Sequence, residues 1–573
     1  MKKFSISEPV MWAFLVIGAL AGSLMIGWQL QHDWNELPAS EQRPILSKSE
    51  VEAIAGTFVS RHFSLDTSSF RTVSTVTTTV LPDSYLTQSY LPKSEIGVYR
   101  DKYLSAMSVY SVRFFKEGEI EEYSVEVDAY RGDIVSFVQT LPEDAEIPAV
   151  PKTVSFSLAT PEEAVVPETD ETNAIELARQ YVAEEIKVAP ESLVVHDKSE
   201  ETLPGGIERL VTFSWPESTI DSEYGKGFVT FDTTVRGDKV TSFYPSFEYP
   251  EPFERALEKS SSLGVLVGFG SMLAWLFIII ASLVYMIRAF SAHTATWKLS
   301  LGTVIVIGIL SIIDLANSYP EILAWYNTTD TIAIHWIFVI LGMVLGIVML
   351  SLSFFIPSVA GHTLAVENYQ ERIAPLNLPP STPEIKTAYR FALIRGYLLG
   401  VFFLGFTFAL YWLGDNYLGV WYPYGDINIM FGLGNFVPAF SLMLSLGITA
   451  AITEEITFRL FGILWISKLT KSTTLGILIA TLVWAFAHTD GSVLPVWFRG
   501  IEVLFGGLLF AYFFMRYNIL TTIVAHYVHN IIIACVLLLF TFGTAQLLPA
   551  LLIFALPALV YIIFEFVSAK KQS

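Results

Sequence analysis

Glu454-Glu455-Ile456-Thr457-Phe458-Arg459 sets two carboxylates and a guanidinium inside a stretch that otherwise reads as membrane-buried helix. Charges are expensive to leave in hydrocarbon, so groups of this kind pair, face a watery cavity, or do chemistry. Two later segments supply matching parts: His488 closes Trp484-Ala485-Phe486-Ala487-His488, and His526 opens His526-Tyr527-Val528-His529-Asn530. Residues four apart on a helix share a face, so Glu455 lies over Arg459 with the acid N-terminal, the favourable order for an ion pair. Glu454 is rotated by about 100° and points elsewhere. It is free to act as a general base or to meet a metal. His526 and Asn530, also four apart, offer an imidazole and an amide to one spot, and His488 comes from a third helix. A base, two imidazoles and an amide can together activate water against a carbonyl carbon and hold the resulting oxyanion. The chemistry this suggests is hydrolysis of an amide bond. His529, three residues after His526, is read as a packed helix histidine.

The elements that must position these groups are apolar helices. With 53% hydrophobic and 16% charged residues, the 573-residue chain is too apolar for an ordinary soluble protein. Apolar runs of roughly 18 residues or more lie near 10–29, 263–287, 298–316, 331–356, 391–413, 440–466, 473–489, 501–515, 519–540 and 547–566, which predicts ten membrane helices. Lys2, Lys3, Arg288, Lys298, Lys468, Lys471, Arg516, Lys570 and Lys571 then all fall on one side, predicting cytoplasmic termini and an extracytoplasmic segment 31–260. The first span is read as an uncleaved anchor despite the small-residue run Ala21-Gly22-Ser23, which resembles a weak signal-peptide cleavage pattern.

Charge is segregated along the chain. Residues 31–260 hold 41 of the 55 acidic residues and 20 of the 35 basic ones, leaving the remainder nearly neutral at 14 against 15. That acidity argues against nucleic acid as a partner and against adhesion of this segment to anionic lipid. The single cysteine, Cys535, excludes an intramolecular disulfide and a zinc-cysteine cluster, and sits in an apolar run as a packing residue. Within the acidic segment the stretches 123–137 and 228–243 repeat an alternating strand, a Gly-Asp pair and a second strand, the pattern of a hairpin. Helical patterns at 47–61 and 171–186 precede the two copies, and a Pro- and Glu-rich stretch, 141–168, divides them. Arg-Gly-Asp occurs in both turns, and its place in a repeated hairpin favours a structural role over an adhesion motif.

Three motifs in order, Glu-Glu-x-x-Phe-Arg at 454–459, an aromatic with three residues between it and a His at 484–488, and His-x-x-x-Asn at 526–530, resemble the CPBP intramembrane proteases, the family of the Rce1-like CAAX prenyl endopeptidases and bacterial Abi proteins. The resemblance covers about residues 391–566. It implies that Glu454 activates water with His488, that His526 and Asn530 polarise the scissile carbonyl and stabilise the oxyanion, and that Glu455 and Arg459 support them. Trp484 stands where the family pattern usually has Phe, an exchange of one aromatic for another, and Leu460 stands where Gly often follows the Arg. The family is often described as metal-dependent. Zn2+ held by Glu454, His488 and His526 and a metal-free glutamate mechanism both stay open here, and His-Glu-x-x-His is absent. The repeated modules resemble tandem PepSY-type domains.

The fold expected is thus an α-helical polytopic membrane protein of about ten transmembrane helices with an inserted α+β extracytoplasmic domain. Its parts are an anchor at 1–30, PepSY-like modules at 31–150 and 151–260, transmembrane helices of unassigned role at 261–390, and a catalytic domain at 391–573. The resemblance implies an intramembrane endopeptidase of the cell membrane acting on membrane-associated or lipidated peptides, with membrane lipids and a peptide or membrane-protein substrate as partners. The competing class is a receptor or an ion- or proton-coupled transporter that uses the same Glu/His cluster. His335 and His362 have no carboxylate partners nearby in sequence and are read as structural, and Asp314, near the end of the third span, is read as reaching interfacial water. The aromatic loop 417–424 is read as an interfacial belt.

Overall fold

The computed structural model describes residues 7–78, 85–104, 108–145, 170–376, 382–421, 432–489 and 491–570. The dividing stretch 141–168 falls mostly outside them, as do Tyr422 and Tyr424 of the aromatic loop. The chain forms two compact units: Glu36–Ala256 with Pro320–Val339, and Met1–Asn35 with Leu257–Tyr319 and Ile340–Ser573.

The first unit is built on one antiparallel nine-stranded sheet. Its strands are β1 (Arg71–Thr78), β2 (Ser108–Phe115), β3 (Glu122–Asp128), β4 (Ile134–Thr140), β5 (Val194–Leu203), β6 (Gly206–Ser214), β7 (Ile220–Ser222), β8 (Gly225–Arg236) and β9 (Lys239–Glu248). They run in the order β1-β2-β3-β4-β9-β8-β6-β5, with β7 on β8. Apolar-polar alternation decides which face is covered: Tyr123, Val125 and Val127 of β3 are buried while the residues between them are half-exposed. The repeat seen in sequence is the construction rule. Its two hairpins are β3–β4 and β8–β9, and they join where β4 pairs with β9, at Phe137 opposite Phe243. Each copy lays a helix on the sheet through residues four apart, Val51, Ala55 and Val59 from Lys48–His62, and Ala174, Ala178 and Val182 from Asp170–Glu185. Ser47 starts the first helix with a reciprocal Ser47/Glu50 capping box.

The two hairpin turns differ. Gly237-Asp238 is a two-residue connection with Gly237 at φ +62°, whereas β3 and β4 are joined by five residues in which Asp128 accepts from the Tyr130 and Arg131 amides, both at 2.8 Å. Both Arg-Gly-Asp arginines are engaged inside the unit, Arg131 with Asp101 and Arg236 with Glu208.

Among the described residues eight helical runs are long and apolar enough to cross a membrane. The sequence reading of ten spans is two more than this count. Ile519–Phe566 contains two of its spans, separated by a turn at Gly543–Gln546, and Thr473–Phe486 is a shorter apolar helix. Leu266, Phe277, Leu341 and Leu345 point outward, as lipid-facing residues do. The first helix, Glu8–Glu36, packs on Pro383–Tyr417 through Met11 and Leu15 against Leu399 and Phe403. Gly22 is indispensable there, because a Cβ on it would lie 2.6 Å from the Val401 carbonyl oxygen. Gly22 of the small-residue run at 21–23 is thereby a helix contact, while Ala21 and Ser23 are exposed.

His62 sits where the two copies meet, 4.9 Å from the ring of Phe137 and 5.4 Å from that of Tyr181, donating from Nε2 to the Val240 carbonyl at 2.8 Å. Burial holds its pKa below the ordinary 6.5, the Val240 bond opposes the shift, and the charge of Lys239 adds to it. Unfolded His62 accepts a proton more readily than the folded residue, so its effect is absent above pH 6.5 and works increasingly against folding as pH falls below that value. The thermal midpoint of this unit in the full-length protein should therefore drop on going from about pH 7 to about pH 5.5, and His62→Gln should shrink the drop. An unchanged slope in the variant would contradict this.

Candidate active site

The helical run Pro438–Thr470 carries the acidic motif, and it is not uniformly α-helical. Two π-helical segments, Met443–Thr449 and Glu455–Ile463, flank the short α-helical stretch Ala450–Glu454. Wide turns of this kind concentrate at functional sites because they redirect side chains and free backbone carbonyls. Here the Leu446 carbonyl accepts from Asn530 Nδ2 at 2.8 Å. Every residue from Glu455 to Ile463 is buried.

The ion pair read from spacing is present, with Arg459 Nη1 3.1 Å from Glu455 Oε1 and the two side chains sealed at 1% and 0% exposure. The same Glu455 oxygen takes a second partner, His526 Nδ1 at 3.0 Å. A carboxylate acceptor at Nδ1 assigns a proton of His526 to that nitrogen and turns Nε2 toward Glu454. His488 is arranged alike by a different means. It lies just past the end of Thr473–Phe486, and its Nδ1 donates to the Trp484 carbonyl at 2.7 Å, again leaving Nε2 toward Glu454.

Glu454 Oε2 is 3.9 Å from His488 Nε2 and 3.9 Å from His526 Nε2. Those separations exceed a hydrogen bond, and a single water oxygen at about 2.8 Å from each group can bridge them. Glu454 and His488 keep side-chain exposures of 26% and 31%, so this corner is open while the Glu455–Arg459 pair beside it is closed. Glu454 is further held by Trp484, whose indole Nε1 donates to Oε2 at 2.6 Å. The Trp484 ring lies under the guanidinium, 3.9 Å from Arg459 Cζ.

Close helix approach makes this possible. A Cβ on Gly476 would sit 2.1 Å from Ser467 Oγ, and one on Gly507 would sit 2.8 Å from the Trp484 ring. The turn between the helices is closed by Lys471 in the left-handed region, φ +55°, and by Ser472 capping the Leu475 amide.

The structure thus brings together Glu454, Glu455, Arg459, His488 and His526. Asn530 stands one turn beyond His526 with one amide hydrogen on Leu446, and His529 is stacked on Phe403 at 4.5 Å. His335 lies against Tyr326, His362 bonds to Thr296, and Asp314 accepts from Ser441 rather than reaching outward. The indole hydrogen bond belongs to no motif. Another polar group, Glu502 with Arg499 at 2.7 Å and Thr407 at 3.1 Å, announces itself only as charge inside an apolar helix. As to metal, zinc accepts these donor types, yet tetrahedral ligands about 2.0–2.1 Å from zinc stand ~3.3–3.4 Å apart, closer than the 3.9 Å found here. Among the described residues no group of three His, Cys, Asp or Glu side chains is placed to hold an ion.

Residues 436–532 match the family model for type II CAAX prenyl endopeptidases, Rce1-like. The Rce1-like segment contains every residue of the site. The chain is also similar to the sporulation-killing factor biosynthesis protein SkfC of Bacillus subtilis (strain 168), at 26% identity over 92 residues, which is 16% of this chain and 18% of that protein. No solved structure matches the chain.

Removing Glu455 alone would strand Arg459 in a sealed apolar setting, at a cost of about 3–5 kcal/mol. Glu455→Gln should therefore lower the thermal midpoint and the folded yield. Pairing it with Arg459→Met should restore the yield without restoring activity. A stable Glu455→Gln protein would show that the pair is not what holds these helices together.

Proposed function

We infer that this protein is an intramembrane endopeptidase in which Glu454 removes a proton from water as it attacks a peptide carbonyl. The observation that carries the reading is the convergence of one reachable carboxylate and two imidazole Nε2 atoms, each 3.9 Å from Glu454 Oε2, inside an Rce1-like segment. Both Nδ1 atoms are occupied as donors, so both imidazoles keep Nε2 for the reaction. His488 accepts the second hydrogen of the water and orients it. His526 carries a proton on Nε2 while its Nδ1 hydrogen stays on Glu455, and with the remaining amide hydrogen of Asn530 it meets the developing oxyanion. Glu454 then passes the proton to the leaving amine. No step above is routed through a metal ion. The substrates are membrane-associated peptides, in keeping with a relative named for biosynthesis of a sporulation-killing factor.

The sheet unit selects substrate in this reading. Its outermost strands, β1 and β5, leave edges along which an extended peptide can add. Residues 31–260 lie outside the cell, with both termini in the cytoplasm. The contact of Arg516 with Glu8 at 3.0 Å, which sets the end of Val496–Arg516 beside the start of the first helix, supports placing those basic ends on one side.

Glu454→Gln, His488→Ala and His526→Ala, in purified folded protein, should each lower hydrolysis of a fluorogenic peptide by about 10²–10⁴-fold. Full activity in Glu454→Gln would end the assignment, and proton-coupled solute flux without proteolysis would favour a transporter. Chelators should leave the rate unchanged; loss of activity restored by zinc alone would put a metal in the mechanism. Cysteines introduced at 200 and 470 should be labelled and protected, respectively, by an impermeant thiol probe applied outside intact cells. Labelling of both would refute the orientation.

A further inference from the structure

Trp484 meets four of the five charged or titratable groups of the site, Glu455 being the exception. Its Nε1 donates to Glu454 Oε2 at 2.6 Å, its ring face lies 3.9 Å from Arg459 Cζ, its carbonyl fixes His488 Nδ1 at 2.7 Å, and its ring stands edge-on to His526 at 6.0 Å. Arg459 and His488 need only an aromatic ring and a backbone carbonyl, which phenylalanine provides equally. Only the bond to Glu454 requires indole. The carboxylate has few other restraints, since both imidazole nitrogens stand beyond hydrogen-bond reach. The ring itself cannot shift freely, buried at 4% exposure with Phe458, Phe461 and Val503, and with Gly507 against its edge.

We propose that Trp484 is a positioning residue whose indole N–H holds the Glu454 carboxylate in line with the two imidazoles, so that it serves the turnover step rather than substrate binding. This rests on the reading of Glu454 as the general base. A flexible glutamate one rotamer away from the water loses reactive geometry, and displacement of about 1 Å at such a centre costs on the order of 10²-fold.

The test is steady-state hydrolysis of a fluorogenic peptide by the full-length protein in detergent, comparing wild type, Trp484→Phe and a protein with benzothienylalanine in place of Trp484. The last keeps the shape of indole and replaces N–H by sulfur, so it remains informative if Trp484→Phe folds poorly. Loss of a hydrogen bond to a charged acceptor predicts a fall in kcat of about 10–100-fold, with KM within about twofold and the thermal midpoint of the benzothienyl protein unchanged. A benzothienyl protein with wild-type kcat, or one in which only KM rises, would overturn the proposal. Glu454→Gln in the same assay separates the two claims: if it is inactive while the benzothienyl protein is fully active, only the role of Trp484 fails; if it is active, the general-base reading fails as well.

Discussion

Glu455 has no exposed surface, and a carboxylate in that position keeps its charge only if partners replace the water it has lost. Two do, from different parts of the chain. Arg459 comes from the next turn of the same helical run, and His526 from the distant Ile519–Phe542 helix. Because one oxygen serves both, the packing of the two helices and the orientation of the imidazole are set by one interaction. Arg459 then fixes the third helix, since its guanidinium needs a surface and the Trp484 ring supplies one at 3.9 Å. The buried pair earns little stability by itself. Its value lies in registering three helices so that Glu454, one residue away, finds both Nε2 atoms at the same distance.

The neighbouring carboxylates thus divide the labour by environment. Glu455 is sealed and doubly occupied, whereas Glu454 is reachable and held by a single indole bond. The π-helical turns that begin at Glu455 and at Met443 accompany this division, and the carbonyl of Leu446 in one of them anchors Asn530. The sheet unit follows a different rule. A duplicated helix-and-hairpin module closes its gap by pairing the last strands of the two copies, and equivalent phenylalanines, Phe137 and Phe243, meet at the join.

Much of this was legible in the sequence because it rests on short-range periodicity. Spacing of four predicted the Glu455–Arg459 contact, alternation and a repeated Gly-Asp predicted the two hairpins, and the helical patterns at 47–61 and 171–186 predicted the helices that precede them. Features that depend on distant parts of the chain were not legible. Nothing local tells that His526 Nδ1 reaches Glu455, or that His488 is turned by the carbonyl of Trp484. The exchange of Phe for Trp read as neutral because an aromatic ring was the visible property, while the N–H acquires meaning only when Glu454 lies 2.6 Å away. The five-residue turn between β3 and β4 likewise departed from the tight hairpin that its Gly-Asp suggested, because Asp128 caps the loop with its own side chain.

That Glu454 acts on water, and not directly on the peptide, is the claim on which the rest of the mechanism stands. A single turnover in H2(18)O, with enzyme in excess over peptide, tests it directly by mass spectrometry of both product and enzyme. The account predicts 18O in the new carboxylate of the product during the first turnover and none in the segment containing Glu454. Label in the Glu454 carboxylate, with an unlabelled first product, would mean a covalent acyl intermediate and would contradict it.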